Sequence, residues 1–228
     1  MIINITNLTK GGMNTDIKKE ELIAKYLTED IRTGDSTKDD ADFGWGGKRT
    51  QGMIEFSLCN QKSLFNEFNK VKDKVNTIVE IGVSRIEGSG RHNYEDSSTS
   101  IFLHNRKPET KYLGIDVNDK SYLEDYTDNV YTLKSPSENY KVVLEKLKEV
   151  GIEKIDFLFV DGWHSINQVI DELWFIEFME SGGVIGYHDT NFHPGPSRII
   201  DKFKPELYDY KRYCIDEMDW GIGFVYIK

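Results

Sequence analysis

The sequence predicts an α/β fold with a Rossmann-like sheet of seven strands, mostly parallel with a C-terminal antiparallel hairpin, and helices on both faces. Short β-rich runs alternate with segments of helical period from residue 77 onward, which is typical of a parallel sheet covered on both faces. Two further β-rich runs close the chain. The 228 residues, 38% of them hydrophobic and 30% charged, have the balance of a globular protein.

Each element is assigned from its hydrophobic period. The predicted strands are residues 77–83, 112–117, 130–133, 155–161, 183–187, 213–215 and 223–227. Helices are predicted around 140–147 and 166–173, where apolar residues recur every three or four positions, and in the N-terminal region at 17–31 and 64–71. We therefore expect one domain over residues 77–228, preceded by a helical and loop appendage over residues 1–76.

Charge and cysteine content restrict the partners and the compartment. The net charge of −10 and the pI of about 5.1 repel nucleic acid and anionic membrane surfaces, so neither is expected as a partner. The sequence shows no apolar run of about 20 residues, the length that a membrane span requires, which favours a cytoplasmic protein. Cys59 and Cys214 lack metal-site spacing and are expected to be unpaired, partly buried thiols.

The ends of the first two strands carry candidate ligand-binding residues. Ligands of open parallel sheets bind beyond the carboxyl ends of the strands. The first strand ends in Glu80, Gly82 and Ser84 without the Gly-x-Gly-x-x-Gly spacing of pyrophosphate loops, which favours a nucleoside ligand without phosphates. Asp116 ends the second strand, where a carboxylate can accept both hydroxyls of a ribose; on position alone, a helix cap or a turn is equally consistent with it.

Two carboxylates with neighbouring histidines end the fourth and fifth strands. Asp161 is followed by His164, and Asp189 is preceded by His188. Taken singly, the two acids could equally cap the helices that follow them. Because adjacent strands deliver both to one edge, the pair favours a hard divalent cation such as Mg²⁺.

With these strand ends in view, residues 77–228 resemble class I S-adenosylmethionine-dependent methyltransferases. The resemblance rests on Val-Glu-Ile-Gly-Val at 79–83, on Gly-Ile-Asp at 114–116, and on the C-terminal hairpin ending Gly-Ile-Gly-Phe-Val at 221–225. It implies that Glu80 and Gly82 contact the methionine part of the cofactor and that Asp116 binds its ribose. Ser84 and Asp161 are also counted as candidate cofactor contacts.

The segments around Asp161 and Asp189 are similar, more narrowly, to metal-dependent O-methyltransferases of the catechol and macrolide-sugar types. This likeness implies Mg²⁺ bound by Asp161 and Asp189, with His164 as the general base. His188 stands where the macrolide-sugar type has a metal-binding acid, and we include it among the candidate metal ligands. The implied acceptor is a hydroxyl of a small molecule, most specifically a sugar or glycoside.

The resemblance does not extend to the N-terminal region or to residues 86–97, which form a longer insertion than the usual glycine loop. Related enzymes often use the N-terminal region as a lid, so we expect residues 1–76 to cover the cofactor. Within them, residues 33–52 combine Asp and Gly with the aromatic residues Phe43 and Trp45, and we expect this segment to order over the cofactor and the acceptor. A homo-oligomer is compatible with the sequence.

Two rival functions remain open. The first is a metal-independent methyltransferase acting on nitrogen or carbon, in which Asp161 and Asp189 are structural. The second is a nucleoside-binding protein of the same fold without catalysis. Metal-dependent turnover would exclude the first, and cofactor binding without turnover on any acceptor would support the second.

Overall fold

The seven predicted strands form a single mixed sheet in the computed structural model, which describes residues 19–32, 57–83, 97–191, 193–216 and 219–228. The strands are β1 (Thr77–Ile81), β2 (Lys111–Asp116), β3 (Val130–Lys134), β4 (Phe157–Val160), β5 (Val184–His188), β6 (Tyr208–Tyr213) and β7 (Ile222–Ile227). Their order is β3-β2-β1-β4-β5-β7-β6, with β7 antiparallel to both β5 and β6. The predicted fold class is confirmed.

Six α-helices connect or cover the strands in the described part of the chain. They are α1 (Lys19–Tyr26), α2 (Leu58–Val71), α3 (Ser98–Asn105), α4 (Tyr140–Glu149), α5 (Ile166–Glu172) and α6 (Pro194–Ile199), with 3₁₀ turns at Ser121–Leu123 and Leu173–Phe178. Ser57, Ser97 and Ser165 cap α2, α3 and α5, each accepting a hydrogen bond from the backbone N–H three residues later. These caps fix where each helix begins.

The two faces of the sheet carry separate hydrophobic cores. On one face, Val79 and Leu158 pack with buried residues of α1, α4 and α5. On the other, Ile78 and Phe157 pack with buried residues of α2 and α3. Successive strand residues point to opposite faces, which explains why neighbours such as Ile78 and Val79 enter different cores. Helices α1 and α2 therefore contribute to the cores, while a domain boundary at residue 76 stays a prediction.

Several predicted boundaries were wrong. The sixth strand occupies Tyr208–Tyr213 instead of 213–215, because Cys214 adopts a left-handed φ of +56° that ends the strand. The alternation of tyrosine with charged residues on this edge strand conceals it from a hydrophobic count. Helix α2 begins at Leu58, directly after its cap Ser57, instead of at residue 64. Helix α1 ends at Tyr26 instead of at residue 31.

Cys59 and Cys214 form a disulfide, so the expectation of two unpaired thiols was wrong. Their Cα atoms are 5.9 Å apart, although 155 residues separate them in the sequence. The first turn of α2 lies beside the end of β6, a proximity that cysteine spacing cannot reveal. Disulfides persist mainly in oxidising compartments, and a cytoplasmic location stays a prediction.

Reducing this disulfide should lower stability, because the cross-link restricts the unfolded chain. Loss of a native disulfide typically costs roughly 2–5 kcal/mol. We expect non-reducing peptide mapping to yield one fragment joining Cys59 to Cys214, and thermal denaturation to shift downward in the Cys59→Ser/Cys214→Ser double variant. Two separate peptides with free thiols in the non-reduced protein would contradict the pairing.

No helix within the described ranges is long and apolar enough to cross a membrane.

Candidate active site

Gly82, a glycine with positive φ, directly follows β1 and contacts the ends of β2 and β4. It has a φ of +81°, and a Cβ atom at this position would lie 1.9 Å from the carbonyl oxygen of Asp161. Its N–H donates to the carbonyl of Ile115 at 2.9 Å. The chain therefore turns here while in contact with both neighbouring strands, which only glycine permits.

Asp116, the last residue of β2, faces this turn. Its Oδ2 accepts the N–H of Val83 at 3.0 Å, and its Oδ1 accepts the N–H of Asn118 at 2.7 Å. The residue is half-buried, and each carboxylate oxygen can accept a second hydrogen bond. The geometry is suited to the two hydroxyls of a ribose, and that role stays a prediction.

Glu80 lies on the face of the sheet that packs against α3. Its fully buried carboxylate accepts hydrogen bonds from the hydroxyls of Ser98, Thr99 (2.8 Å) and Tyr112. Burial raises the pKa of Glu80 to about 7, although these hydroxyl donors act in the opposite direction. In this structure Glu80 thus anchors the first turn of α3, and its contact with a cofactor stays a prediction.

Four predicted site residues, Asp161, His164, His188 and Asp189, meet at the ends of β4 and β5. His188 Nδ1 lies 3.0 Å from Oδ1 of Asp161 and 3.0 Å from Oδ1 of Asp189. His164 Nε2 lies 2.8 Å from Oδ2 of Asp189 and 3.6 Å from Oδ1 of Asp161. The strand ends thus bring both carboxylates and both imidazoles into one cluster, as the sequence predicts.

Electrostatic pairing governs the charge state of this cluster. Burial disfavours the charged form of His164, but attraction to Asp189 and Asp161 outweighs it and raises the pKa to about 9. The same balance raises the pKa of His188 well above its ordinary value. Burial acts to raise the pKa of each acid, but the histidines hold both below the usual range. Two imidazolium groups therefore balance two carboxylates when no cation is bound.

Asp189 holds its position through an unusual backbone conformation. Its φ of +61° lies in the left-handed region, which Asp adopts more readily than most residues other than glycine. The residue directly follows β5, and it is buried. A left-handed residue other than glycine at the end of a strand is consistent with a functional site.

Sequence reasoning missed two residues that contact the cluster. His193 Nε2 lies 3.5 Å from Oδ2 of Asp189, and the His193 ring stacks on Trp220 with the ring centres 5.2 Å apart. Its position four residues after Asp189 could have indicated it. Asn60 of α2 places Nδ2 3.2 Å from His188 Nε2. No local sequence signal connects Asn60 with a strand 128 residues away.

His193 differs from the other two histidines because attraction to the acids does not outweigh burial and repulsion from the neighbouring imidazolium groups. Burial and repulsion from His164 lower the pKa of His193 to about 4, although Asp189 attracts the charged form. His193 is therefore neutral at pH 7.

The donor set fits a divalent cation. One donor atom each from Asp161, His188 and Asp189 forms a group in which all atoms lie within 4.8 Å of one another, and His164, Asp189 and His193 form a second such group. The two carboxylates suit Mg²⁺, whereas the imidazole does not. Ser84, the 33–52 segment and residues 86–96 of the insertion lie outside the described residues.

Comparison with known proteins gives the fold. No protein-family model and no curated protein sequence matches the chain. Among solved structures, the chain is similar to the MycE methyltransferase of the mycinamycin pathway in complex with Mg, S-adenosylhomocysteine and mycinamycin VI, at 14% identity and a TM-score of 0.54, covering 95% of this chain and 64% of that one. In another MycE crystal form the chain spans only 48% of the MycE length.

Two smaller proteins match over nearly their whole lengths. CalS11, a TDP-rhamnose 3'-O-methyltransferase of calicheamicin biosynthesis, has 12% identity and a TM-score of 0.54, with 94% of this chain and 96% of that one covered. Cofactor-bound Rv0187 from MTB has 13% identity and a TM-score of 0.51, with 95% and 99% covered. The chain therefore has the fold of class I S-adenosylmethionine-dependent methyltransferases.

Proposed function

We propose that this protein is an S-adenosylmethionine-dependent O-methyltransferase that acts on a hydroxyl of a small molecule, most specifically a sugar or glycoside, with the help of a bound divalent cation. The observation that carries the proposal is the proximity of two sites around Gly82. Asp116 accepts the N–H of the next residue, Val83, while the carbonyl of Asp161 packs against Gly82 itself. A cofactor bound along the first site would lie beside the acid–histidine cluster.

In the proposed site, Asp116 holds the cofactor ribose, and the backbone around Gly82 lies against the methionine part. A side chain at Gly82 would collide with the backbone of Asp161. Glu80 positions this segment indirectly by anchoring the start of α3. Ser84 stays among the proposed cofactor contacts on the basis of the sequence alone.

Methyl transfer requires an acceptor oxygen in line with the methyl carbon and a group that takes its proton. As the oxygen attacks, the bond from methyl to sulfur breaks and the electron pair stays on sulfur. We assign the proton to His164 Nε2, because this atom faces both carboxylates. A divalent cation at Asp161 and Asp189 supplies an anchor for the acceptor hydroxyl and lowers its pKa.

The charge of the cluster is consistent with this role. His164 must be neutral to accept a proton, whereas the two acids raise its pKa to about 9. A cation shared by Asp161 and Asp189 would weaken their attraction for the imidazolium and so would lower the pKa of His164. Considered without the histidines, the two carboxylates favour Mg²⁺ as the bound cation.

The sugar acceptor is supported by the fold relatives, since CalS11 is a TDP-rhamnose O-methyltransferase and MycE was solved with mycinamycin VI. The direct test is transfer of a radiolabelled methyl group from S-adenosylmethionine to TDP-rhamnose and a panel of other nucleotide sugars and glycosides, with S-adenosylhomocysteine binding measured by calorimetry. A folded protein that fails to bind S-adenosylhomocysteine would refute the proposal. Binding without transfer to any acceptor would favour the inactive nucleoside-binding protein.

Asp116→Ala should weaken S-adenosylhomocysteine binding by about tenfold or more. A hydrogen bond to a charged group contributes about 1.5–3 kcal/mol, and about 1.4 kcal/mol corresponds to a factor of ten. Asp125→Ala is the control, because Asp125 is an exposed acid in the turn after the same strand. If both variants bind with wild-type affinity in calorimetry, Asp116 does not hold the ribose.

Chelation should abolish methyl transfer, and added divalent cation should restore it. Asp161→Asn and Asp189→Asn should each raise the cation concentration needed for half-maximal activity by about tenfold or more, because each removes a charged ligand. Asp209→Asn, at an exposed acid of β6 with a 72% exposed side chain, should leave it unchanged. Full turnover after exhaustive EDTA treatment would instead support the metal-independent methyltransferase.

A further inference from the structure

We propose that His188 is a metal ligand through Nδ1, held in that role by Asn60, and that the site therefore selects a cation that accepts nitrogen, such as Fe²⁺, Co²⁺ or Zn²⁺, over Mg²⁺. The inference rests on the proposed function only for the place of the cation, and it goes further by naming the class of metal and an additional positioning residue.

The distances around His188 Nδ1 are compatible with those of a metal ligand atom. It lies 3.0 Å from one oxygen of Asp161 and 3.0 Å from one oxygen of Asp189. Two ligand atoms that are each about 2.1 Å from a metal, at right angles to one another, are separated by about 3.0 Å. The His188 side chain is only 3% exposed and that of Asp189 10% exposed, so the site lies mostly out of solvent.

Asn60 supplies the partner that such a histidine needs. A neutral imidazole that binds metal through Nδ1 keeps its proton on Nε2, and this N–H usually donates to a carbonyl or carboxylate. The amide of fully buried Asn60 lies 3.2 Å from Nε2, and no described residue donates to its Oδ1. The oxygen and nitrogen of an amide are nearly isosteric. A 180° rotation of the Asn60 side-chain amide therefore brings Oδ1 within reach of the His188 Nε2 proton, so that both Oδ1 and Nε2 gain a hydrogen-bond partner.

Two local constraints hold Asn60 at this point. Ser57 caps α2 by accepting the backbone N–H of Asn60 at 3.1 Å. The preceding residue, Cys59, is cross-linked to Cys214. The start of helix α2 is thereby held next to the proposed metal ligands, which gives this helix a function beyond packing.

The donor types then decide the metal. Mg²⁺ prefers oxygen ligands and retains several waters, whereas imidazole suits Fe²⁺, Ni²⁺ and Zn²⁺. A site of two carboxylates and one imidazole therefore favours Fe²⁺, Ni²⁺ and Zn²⁺ over Mg²⁺ more strongly than a site of three carboxylates would. All divalent sites favour these ions to some degree, so the informative quantity is how the preference changes when the imidazole is removed.

The test uses the full-length protein stripped of metal, titrated separately with Co²⁺ and Mg²⁺ by calorimetry. We expect His188→Glu to reduce the ratio of Co²⁺ to Mg²⁺ affinity by about tenfold or more, since it replaces nitrogen by oxygen. His104→Ala, at an exposed histidine of α3, should leave the ratio unchanged. A ratio in His188→Glu equal to that of the wild type would overturn the proposal.

Asn60 is tested by its substitution and rescue. Asn60→Ala should weaken Co²⁺ binding by about 10–100-fold, the usual effect of losing an outer partner of a ligating histidine, and should change Mg²⁺ binding much less. Asn60→Asp should restore Co²⁺ binding, because a carboxylate also accepts the Nε2 proton. Equal loss for both metals, without rescue, would show that Asn60 is merely structural and overturn its assignment.

A direct measurement avoids dependence on any variant. Pulsed EPR of the Mn²⁺-loaded wild type should show coupling to a ligating ¹⁴N nucleus, and its absence would overturn nitrogen ligation. S-adenosylhomocysteine binding is measured on the same samples. Cofactor binding without nitrogen coupling refutes this inference and leaves the proposed function standing. Nitrogen coupling without cofactor binding supports nitrogen ligation and refutes the proposed function.

Discussion

His164→Ala is expected to lower methyl-transfer turnover by about 10²–10⁴-fold, the usual contribution of a positioned general base. His164 follows Asp161 by three residues, and its Nε2 lies 2.8 Å from Asp189, so the imidazole lies beside the proposed cation site. S-adenosylhomocysteine affinity should stay near that of the wild type, because His164 lies outside the proposed ribose site. Single-turnover kinetics would separate the chemical step from binding.

The dependence on pH identifies the proton acceptor. The acids raise the pKa of His164, and a base must be deprotonated to act, so turnover should rise with pH as His164 loses its proton. This rise should disappear in His164→Ala. Because turnover is measured with the cation bound, we expect its midpoint below about 9, the pKa in the metal-free protein.

His193 is the alternative candidate for the general base, and His104 serves as a control residue for the histidine substitutions. Since burial and repulsion from His164 lower the pKa of His193 to about 4, its imidazole is already neutral at pH 7. If His193→Ala loses turnover by 10²-fold or more while His164→Ala remains near wild type, the base lies on the segment after β5. His104→Ala should preserve turnover in either case.

Gly82→Ala should destabilise the fold by about 3 kcal/mol or more and weaken cofactor and metal binding together. An alanine here pays the roughly 1–2 kcal/mol cost of a left-handed φ, and its Cβ would lie 1.9 Å from the carbonyl oxygen of Asp161. Overpacking adds typically 1–3 kcal/mol. The backbone at the end of β4 must move, which displaces the carboxylate of Asp161, the proposed cation ligand.

Gly182→Ala is a matched control that measures only the cost of placing alanine at a positive φ. Gly182 has a φ of +90°, and a Cβ there would meet nothing within 4 Å. We therefore expect a cost of about 1–2 kcal/mol in urea unfolding with no effect on either ligand. Equal destabilisation by both variants would mean that the contact between Gly82 and Asp161 contributes nothing.

The sequence by itself determined the sheet and the residues at its carboxyl edge. Period-2 and period-3.6 patterns are local, and the ends of adjacent parallel strands must meet at one edge. Asp161, His164, His188 and Asp189 could therefore be grouped from their positions alone. Their distances of 2.8–3.6 Å agree with that grouping.

Tertiary structure decided which side chains surround the predicted site residues. The carboxylate of Glu80 accepts hydrogen bonds from hydroxyls of α3 and β2, and its contact with a cofactor stays a prediction. The alternation of β1 assigns Glu80 and Val79 to opposite faces, but strand β1 is buried on both, so hydropathy could not indicate which face lines a ligand.

Only the three-dimensional fold brings Asn60 to His188 and Cys59 to Cys214, across 128 and 155 residues. Local periodicity carries no information about which surface helix covers which strand end, because that is decided by the packing of whole elements and the complementarity of their buried faces. The strand-end chemistry was thus determined by the sequence pattern. The helix that orients it, and with it the proposed choice of metal, was decided by tertiary packing.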